Sequence, residues 1–150
     1  TVEIIRGICD NIDVDAVVVV DALAARSSRR LNKTIQLADT GISPGSGVGN
    51  HRTEINSQTI GAKVIALGVP TVISVPSIID GSLDVIADTF NQSYGKKLME
   101  SFSEQQRYEL AYHLAEPELA DMFVTPKNID ELVKRISFTI SEAINSMIFT

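Results

Sequence analysis

Asp21 is the first residue of this 150-residue chain whose type and place suggest chemistry. It follows Ala16-Val-Val-Val-Val20, a continuous, mostly β-branched run that suits a strand buried on both faces of a parallel sheet. The chain then emerges at the carboxyl edge of the sheet, where the ligand sites of open α/β folds gather. A half-desolvated carboxylate there can act as acid, base or nucleophile. It can equally do no more than cap the turn after the strand. A second carboxylate, Asp39, stands eighteen residues further on at the head of Asp39-Thr-Gly41. That spacing lets the chain return to the sheet edge and present Asp39 to the same cleft.

Between the two aspartates lie Arg26, Arg29, Arg30 and Lys33 and no acid. With Arg52 they give residues 22–53 five cations against the single Asp39, in a chain whose net charge is -6. A local positive field in an acidic protein attracts an acidic ligand or substrate segment; the plainer reading is a solvated loop that carries arginines. Gly41-Ile-Ser-Pro-Gly-Ser-Gly-Val-Gly-Asn50 packs four glycines and a proline into ten residues, a loop with special backbone angles. No Gly-Lys-Ser/Thr follows it and it lacks the dinucleotide fingerprint, so it reads as the wall of a cleft more than as a phosphate cradle. His51 and His113 have no ligand partners at metal-binding spacing, and Cys9 is the only cysteine, so neither a metal nor a cofactor is expected. Cys9 falls on the apolar side of the first helix, a core position. No Gly-x-Ser-x-Gly elbow marks a serine hydrolase. Asp39-Thr-Gly41 looks like the signature of pepsin-like and retroviral aspartic proteases. Those enzymes are all-β and face two such loops together, whereas this chain has one loop in an α/β setting, so that resemblance is set aside.

The elements that must position these residues follow from periodicity. Val2, Ile5, Ile8 and Ile12 fall at steps of three and four, one stripe of an amphipathic helix. A second strand is expected at Lys63–Leu67, closed by Gly68 and Pro70, and a third extended piece at Thr34–Ala38. From Ser82 onward the pattern is helical. Ser101-x-x-Glu104 has capping-box form, Pro117 ends that helical region, and Thr125-Pro126 opens a last helix with Pro at its first position. Its stripe is Ile129, Leu132, Val133, Ile136, Ile140, Ile144 and Met147. The fold class is α/β: a mostly parallel sheet with flanking helices and a helical C-terminal part. Length predicts a single domain over residues 1–150. With 44% hydrophobic and 21% charged residues, composition is that of an ordinary globular, cytoplasmic protein. No leader and no membrane span are expected, since the longest apolar run has five residues. Net acidity, 5% aromatics and the absence of Trp argue against nucleic acid as a partner. A start at Thr1 suggests a piece of a longer protein.

Five blocks occur in fixed order: Asp21-Ala-Leu-Ala-Ala-Arg26, Thr34-Ile-Gln36, Asp39-Thr-Gly41, Pro44-Gly-Ser-Gly-Val-Gly-Asn50 and Ala66-Leu-Gly-Val-Pro-Thr71. Together they resemble the germination protease, or spore protease, of spore-forming bacteria. The resemblance runs from about Ile4 to Ile144, is strongest over Val14–Thr71, is loose between Asp84 and Met122, and resumes at Val124-Thr-Pro-Lys127. It implies an atypical aspartic-type endopeptidase of the spore core that degrades small acid-soluble spore proteins during germination. It further implies a zymogen trimmed at its N-terminus, a homotetramer, and a fold similar to the hydrogenase-maturation proteases. One family catalytic aspartate begins the block that starts here at Asp21. The other belongs to a Thr-Pro-Asp-Ala-Leu-Gly stretch that this sequence does not contain. The resemblance therefore implies a C-terminal fragment, inactive by itself. Asp21 and Asp39 are the catalytic candidates, and Arg26, Arg29, Arg30 and Lys33 the candidates for substrate binding. Two other readings stay open on the residues alone: a non-catalytic assembly or substrate-docking domain, and a phosphate-binding α/β domain.

Overall fold

The computed structural model describes residues 1–49, 52–90 and 94–149. Its axis is a long strand, β3 (Val64–Ser74). On one side β3 pairs in parallel with β1 (Val17–Ala25); on the other it pairs antiparallel with β2 (Gln36–Ala38) and, further along, with β4 (Phe123–Val124). The sheet is mixed, and the expectation of a mostly parallel sheet holds for one pairing only. Long apolar runs, the mark of parallel strands, occur in β1 and β3 alone. β2 and β4 are short pieces that no such run announces. β1 forms one edge of the sheet, and Val18 and Val20 on its open face are 45% and 52% exposed.

β1 does not stop at Val20. It continues to Ala25 because β3 runs on beside it, so Asp21 sits in mid-strand opposite Gly68 and not at the carboxyl edge. Gly68 and Pro70, expected to close β3, lie inside it. A Cβ at Gly68 would run into the Leu23 side chain, so the glycine makes room for β1's packing. Pro70 sits at an irregularity: Leu23 pairs with Pro70 but Ala24 with Val72, which leaves Thr71 as a bulge. The carbonyls there find other donors. The Asn32 N–H donates to Pro70 O at 2.7 Å, and Thr125 Oγ1 donates to Thr71 O at 2.9 Å.

The core lies on the face of the sheet that carries Val17, Val19 and Val64. Ile55 and Ile60 pack there, with α1 (Val2–Cys9) and α2 (Ser57–Ile60). α1 docks through Val2, Ile5 and Cys9, whereas Ile8 and Ile12, expected in the same stripe, are exposed. Successive steps of three fall short of full turns and carry Ile8 around the helix. Cys9 returns to the face of Val2, and Ile12 lies beyond the helix end.

The helical part comprises α3 (Val75–Phe90), α4 (Tyr94–Glu100), α5 (Glu104–Leu114) and α6 (Ile129–Ile148). The capping box of α5 is Ser103 with Gln106, two residues past the expected Ser101 frame; Ser101 Oγ instead donates to Leu98 O at the end of α4. α5 ends at Leu114, ahead of Pro117 as expected. α6 begins at Ile129 and not at Pro126, because the Thr125 hydroxyl is committed to β3 and Pro126 lies in the preceding turn. Leu132, Ile136, Ile140 and Ile144 turn inward, while Val133 and Met147 face out. No helix among the described residues is long and apolar enough to cross a membrane.

α5 is locked to α3 by Arg107. Its Nε donates to Asp80 Oδ1 at 2.8 Å, and Nη2 lies 2.8 Å from both Asp80 Oδ1 and Asp84 Oδ1. Hydrogen bonds that the guanidinium donates to Asp84 and then to Asp80 hold its pKa above its already high value, against a smaller opposing effect of burial. Arg107→Ala is expected to lower the unfolding free energy by about 1–2 kcal/mol, a modest figure because water still reaches the cluster. In urea titrations, Asp84→Asn added to Arg107→Ala should cost little more. Fully additive losses would show that the three side chains do not act as a unit.

Candidate active site

Asp21 shares the face of β1 that bears Val17 and Val19. Its Oδ2 is buried and has no hydrogen-bond partner among the described residues. A buried carboxylate oxygen without a donor costs about 1–3 kcal/mol or more, and such an atom, like the buried amide of Asn32, calls for an explanation in strain, chemistry or an ordered water. Asp21 lines a cavity of about 610 Å³ together with Val2 and Ile5 of α1 and with Pro44, Arg52 and Thr53.

The glycine-rich loop builds the remainder of that cavity. Ile42 and Ile55 form a two-way bridge across the loop's base, Ile42 N–H to Ile55 O at 2.9 Å and Ile55 N–H to Ile42 O at 2.8 Å. Gly41 makes the turn into this bridge with φ 102°, a conformation closed to most side chains. The loop then crosses β1, with Gly47 against Ala24, through a short 3₁₀ turn at Ser46–Val48. Pro44 on one limb and Arg52 and Thr53 on the other are thereby set beside Asp21. Asn50 and His51 lie outside the described residues. His113 is on α5, remote in sequence from these elements.

The other predicted residues go elsewhere. Asp21, Gly68 and Gln36 share one row across three strands, and Asp39 lies three residues beyond Gln36 on the far side of β3. With strands about 4.8 Å apart and about 3.3 Å per residue, the two aspartates are roughly 14 Å apart, and Asp39 is exposed. The chain does return to the sheet after eighteen residues, but to its opposite side. Arg26 follows the end of β1 and pairs with Glu104 at 3.5 Å, both side chains largely in water. It lines a second cavity of about 540 Å³ at the carboxyl ends of β1 and β3, with Ser74, Asp80, Glu104 and Arg107. The strand-end position expected of Asp21 is thus held by Arg26. Arg29, Arg30 and Lys33 are exposed in the turns that follow. Among the described residues, the cationic side chain at Asp21's cavity is Arg52. Its membership in the positive segment was visible, but only the Ile42–Ile55 bridge reveals which cavity it joins.

All of these residues except His113 and the second cavity's Glu104 and Arg107 fall within residues 1–103, which match a family model described as germination protease. The chain belongs to the germination protease family. Among curated relatives, the germination protease of Caldanaerobacter subterraneus subsp. tengcongensis is 41% identical over 150 residues, covering 97% of this chain and 46% of its own length. That of Clostridium acetobutylicum is 40% identical, again over 97% of this chain and 46% of its own. The Bacillus cereus germination protease is 35% identical over 182 residues, 97% of this chain and 50% of its own. The chain thus spans about half the length of the germination proteases it matches. Both candidate aspartates and the whole glycine loop belong to the part that the family model covers.

Proposed function

We propose that this chain is the C-terminal part of an aspartic-type endopeptidase that degrades small acid-soluble spore proteins in the germinating spore core, and that Asp21 is one carboxylate of its catalytic dyad. The observation that carries the reading is the Asp21 side chain: a carboxylate with a buried, partnerless oxygen at a cavity of about 610 Å³, in a chain of the germination protease family. In such a dyad one carboxylate takes a proton from the attacking water while the other donates to the scissile carbonyl. The partner is the aspartate of the upstream Thr-Pro-Asp-Ala-Leu-Gly stretch that the resemblance implies. Asp39, exposed and two strands away, is the weaker candidate. Arg29, Arg30 and Lys33, with Arg26 where Glu104 releases it, supply a positive approach for acidic segments of the substrate. The working enzyme is a homotetramer with the hydrogenase-maturation-protease fold, made as a zymogen, and residues 1–150 form one domain of it.

Cleavage of an unstructured acidic protein tests the proposal. A longer protein that joins this chain to the Thr-Pro-Asp stretch is expected to cut it, and the purified 150-residue chain to leave it intact, because one carboxylate cannot act as base and acid in the same step. Cutting by the short chain that vanishes with Asp21→Asn would overturn the half-dyad. Absence of cutting by the longer protein would overturn the peptidase reading.

A further inference from the structure

We propose that the cavity of about 540 Å³ at the carboxyl ends of β1 and β3 is a second binding site, which holds the main chain of an extended polypeptide by its carbonyl groups. That the ligand is a polypeptide rests on the peptidase reading; that it is held by neutral acceptors rests on the cavity's own side chains. Crevices outside the carboxyl ends of parallel strands are where α/β folds collect ligands, and Asp21 does not line this one.

The fixed donors of the cavity are unfilled. Arg107 commits Nε and Nη2 to Asp80 and Asp84, and Nη1 has no partner among the described residues. Two carboxylates thus hold a mostly buried guanidinium in place with one amino group left over. Ser74, the last residue of β3, is buried, and Ser77 stands in the first turn of α3. Their hydroxyl oxygens lie 2.8 Å apart, and Ser74 Oγ also accepts the Ser77 N–H at 3.2 Å. One bond between two hydroxyls uses one proton. Burial of Ser74 favours its donating to Ser77, which leaves the Ser77 O–H for a ligand in the cavity.

The charges decide which acceptor fits. Arg107 lies between two carboxylates, so that cluster already has an excess of negative charge, and Arg26 at the rim is answered by Glu104 at 3.5 Å. A phosphate or carboxylate would meet the excess at close range. A cation would meet donors. A peptide carbonyl accepts from Ser77 or Nη1 and brings no charge. Ala24, Ala25, Tyr108 and Phe123 supply apolar lining against which the rest of the chain can lie. Ala24 follows Asp21 by three residues of β1, about 10 Å. A substrate bound here is gripped about three residues from the bond that Asp21 meets, whatever its side chains.

Titration of the ¹⁵N-labelled 150-residue chain, followed by NMR, tests this without turnover. The probes are two acetylated, amidated peptides of about eight residues, long enough when extended to cross the cavity, with unrelated uncharged side chains. Both are expected to shift the Ser77 amide and Arg107 Nε–H signals, with affinities within about threefold of each other. Ser77→Ala should weaken both about three- to tenfold, the loss of one neutral hydrogen bond. Ser77→Thr, which keeps the hydroxyl, should restore binding, Tyr108→Ala should weaken it, and Lys134→Ala on exposed α6 should leave it unchanged. Urea midpoints near that of the unsubstituted chain verify that the variants fold. No binding of either peptide at millimolar concentration overturns the inference, as does binding that Ser77→Ala and Tyr108→Ala leave unchanged. Displacement of the peptides by millimolar inorganic phosphate would overturn it too, in favour of an anion site. Ser77-dependent binding in a chain whose longer form does not cut would keep the inference and remove the peptidase reading.

Discussion

Asp21→Asn is expected to lower kcat of the full-length protease roughly 10²–10⁴-fold, the range in which a positioned proton-transfer group acts. Asn has nearly the shape of Asp, so β1 keeps its register opposite Gly68 and the cavity keeps its wall. What changes is the charge. The buried Oδ2 now has no ionised partner to replace, since none is there to lose. Folding stability should therefore stay within about 1 kcal/mol, because no hydrogen bond of Oδ2 is broken. KM should move little, since a proton-transfer group acts on the transition state more than on substrate binding. Asp39→Asn is the matched control. Exposed and roughly 14 Å away across β3, it should reduce kcat far less. A larger loss at Asp39 than at Asp21 would reverse the assignment.

The second large effect concerns the loop and not the chemistry. Gly41→Ala should destabilise the chain by about 2–4 kcal/mol in urea unfolding. Two costs combine at this position. The backbone is at φ 102°, and a Cβ would also overlap the Ile55 carbonyl oxygen and come within 2.6 Å of the Asn56 Cβ. That carbonyl accepts from the Ile42 N–H, and the Asn56 side chain caps α2 through the Gln58 and Thr59 N–H groups. Relief of the overlap must loosen the bridge, the cap, or both. Gly61→Ala separates the two costs: its φ is 82°, but nothing lies within 4 Å of the added methyl. It should lose only about 1–2 kcal/mol, the price of the left-handed conformation. Equal losses at the two glycines would show that the Ile55 contact contributes nothing.

Local signals in the sequence located β1, β3, the first helix and the special angles of the glycine loop, and the ordered blocks pointed to the right family. Where strands end was less legible. The apolar run stops at Val20, but a strand ends where its neighbour ceases to offer bonds, and β3 offers them to Ile73 by bulging at Thr71. Pro70 reads as a terminator until its carbonyl is seen to bond the Asn32 N–H from outside the ladder. Cross-chain placement was hidden for a related reason. The spacing between Asp21 and Asp39 permits a return to the sheet without stating on which side of β3 β2 will join. Arg52 could not be assigned from spacing either, since one pair of backbone hydrogen bonds at Ile42 and Ile55 decides which cavity it faces.

The position of β1 at the sheet edge has a bearing on how the 150-residue chain behaves as a material. Val17-Val-Val-Val20 offers a row of backbone donors and acceptors along that edge, and Val18 and Val20 form an apolar face that water reaches. Short, uncharged, β-branched segments of this kind template the growth of intermolecular cross-β stacks. Asp21 is the first charge after the run, and it turns toward the core side of the sheet, so it does not act as a gatekeeper on the open face. A lysine at Val20, which points away from the face that bears Asp21, would place that missing charge where the stacking begins.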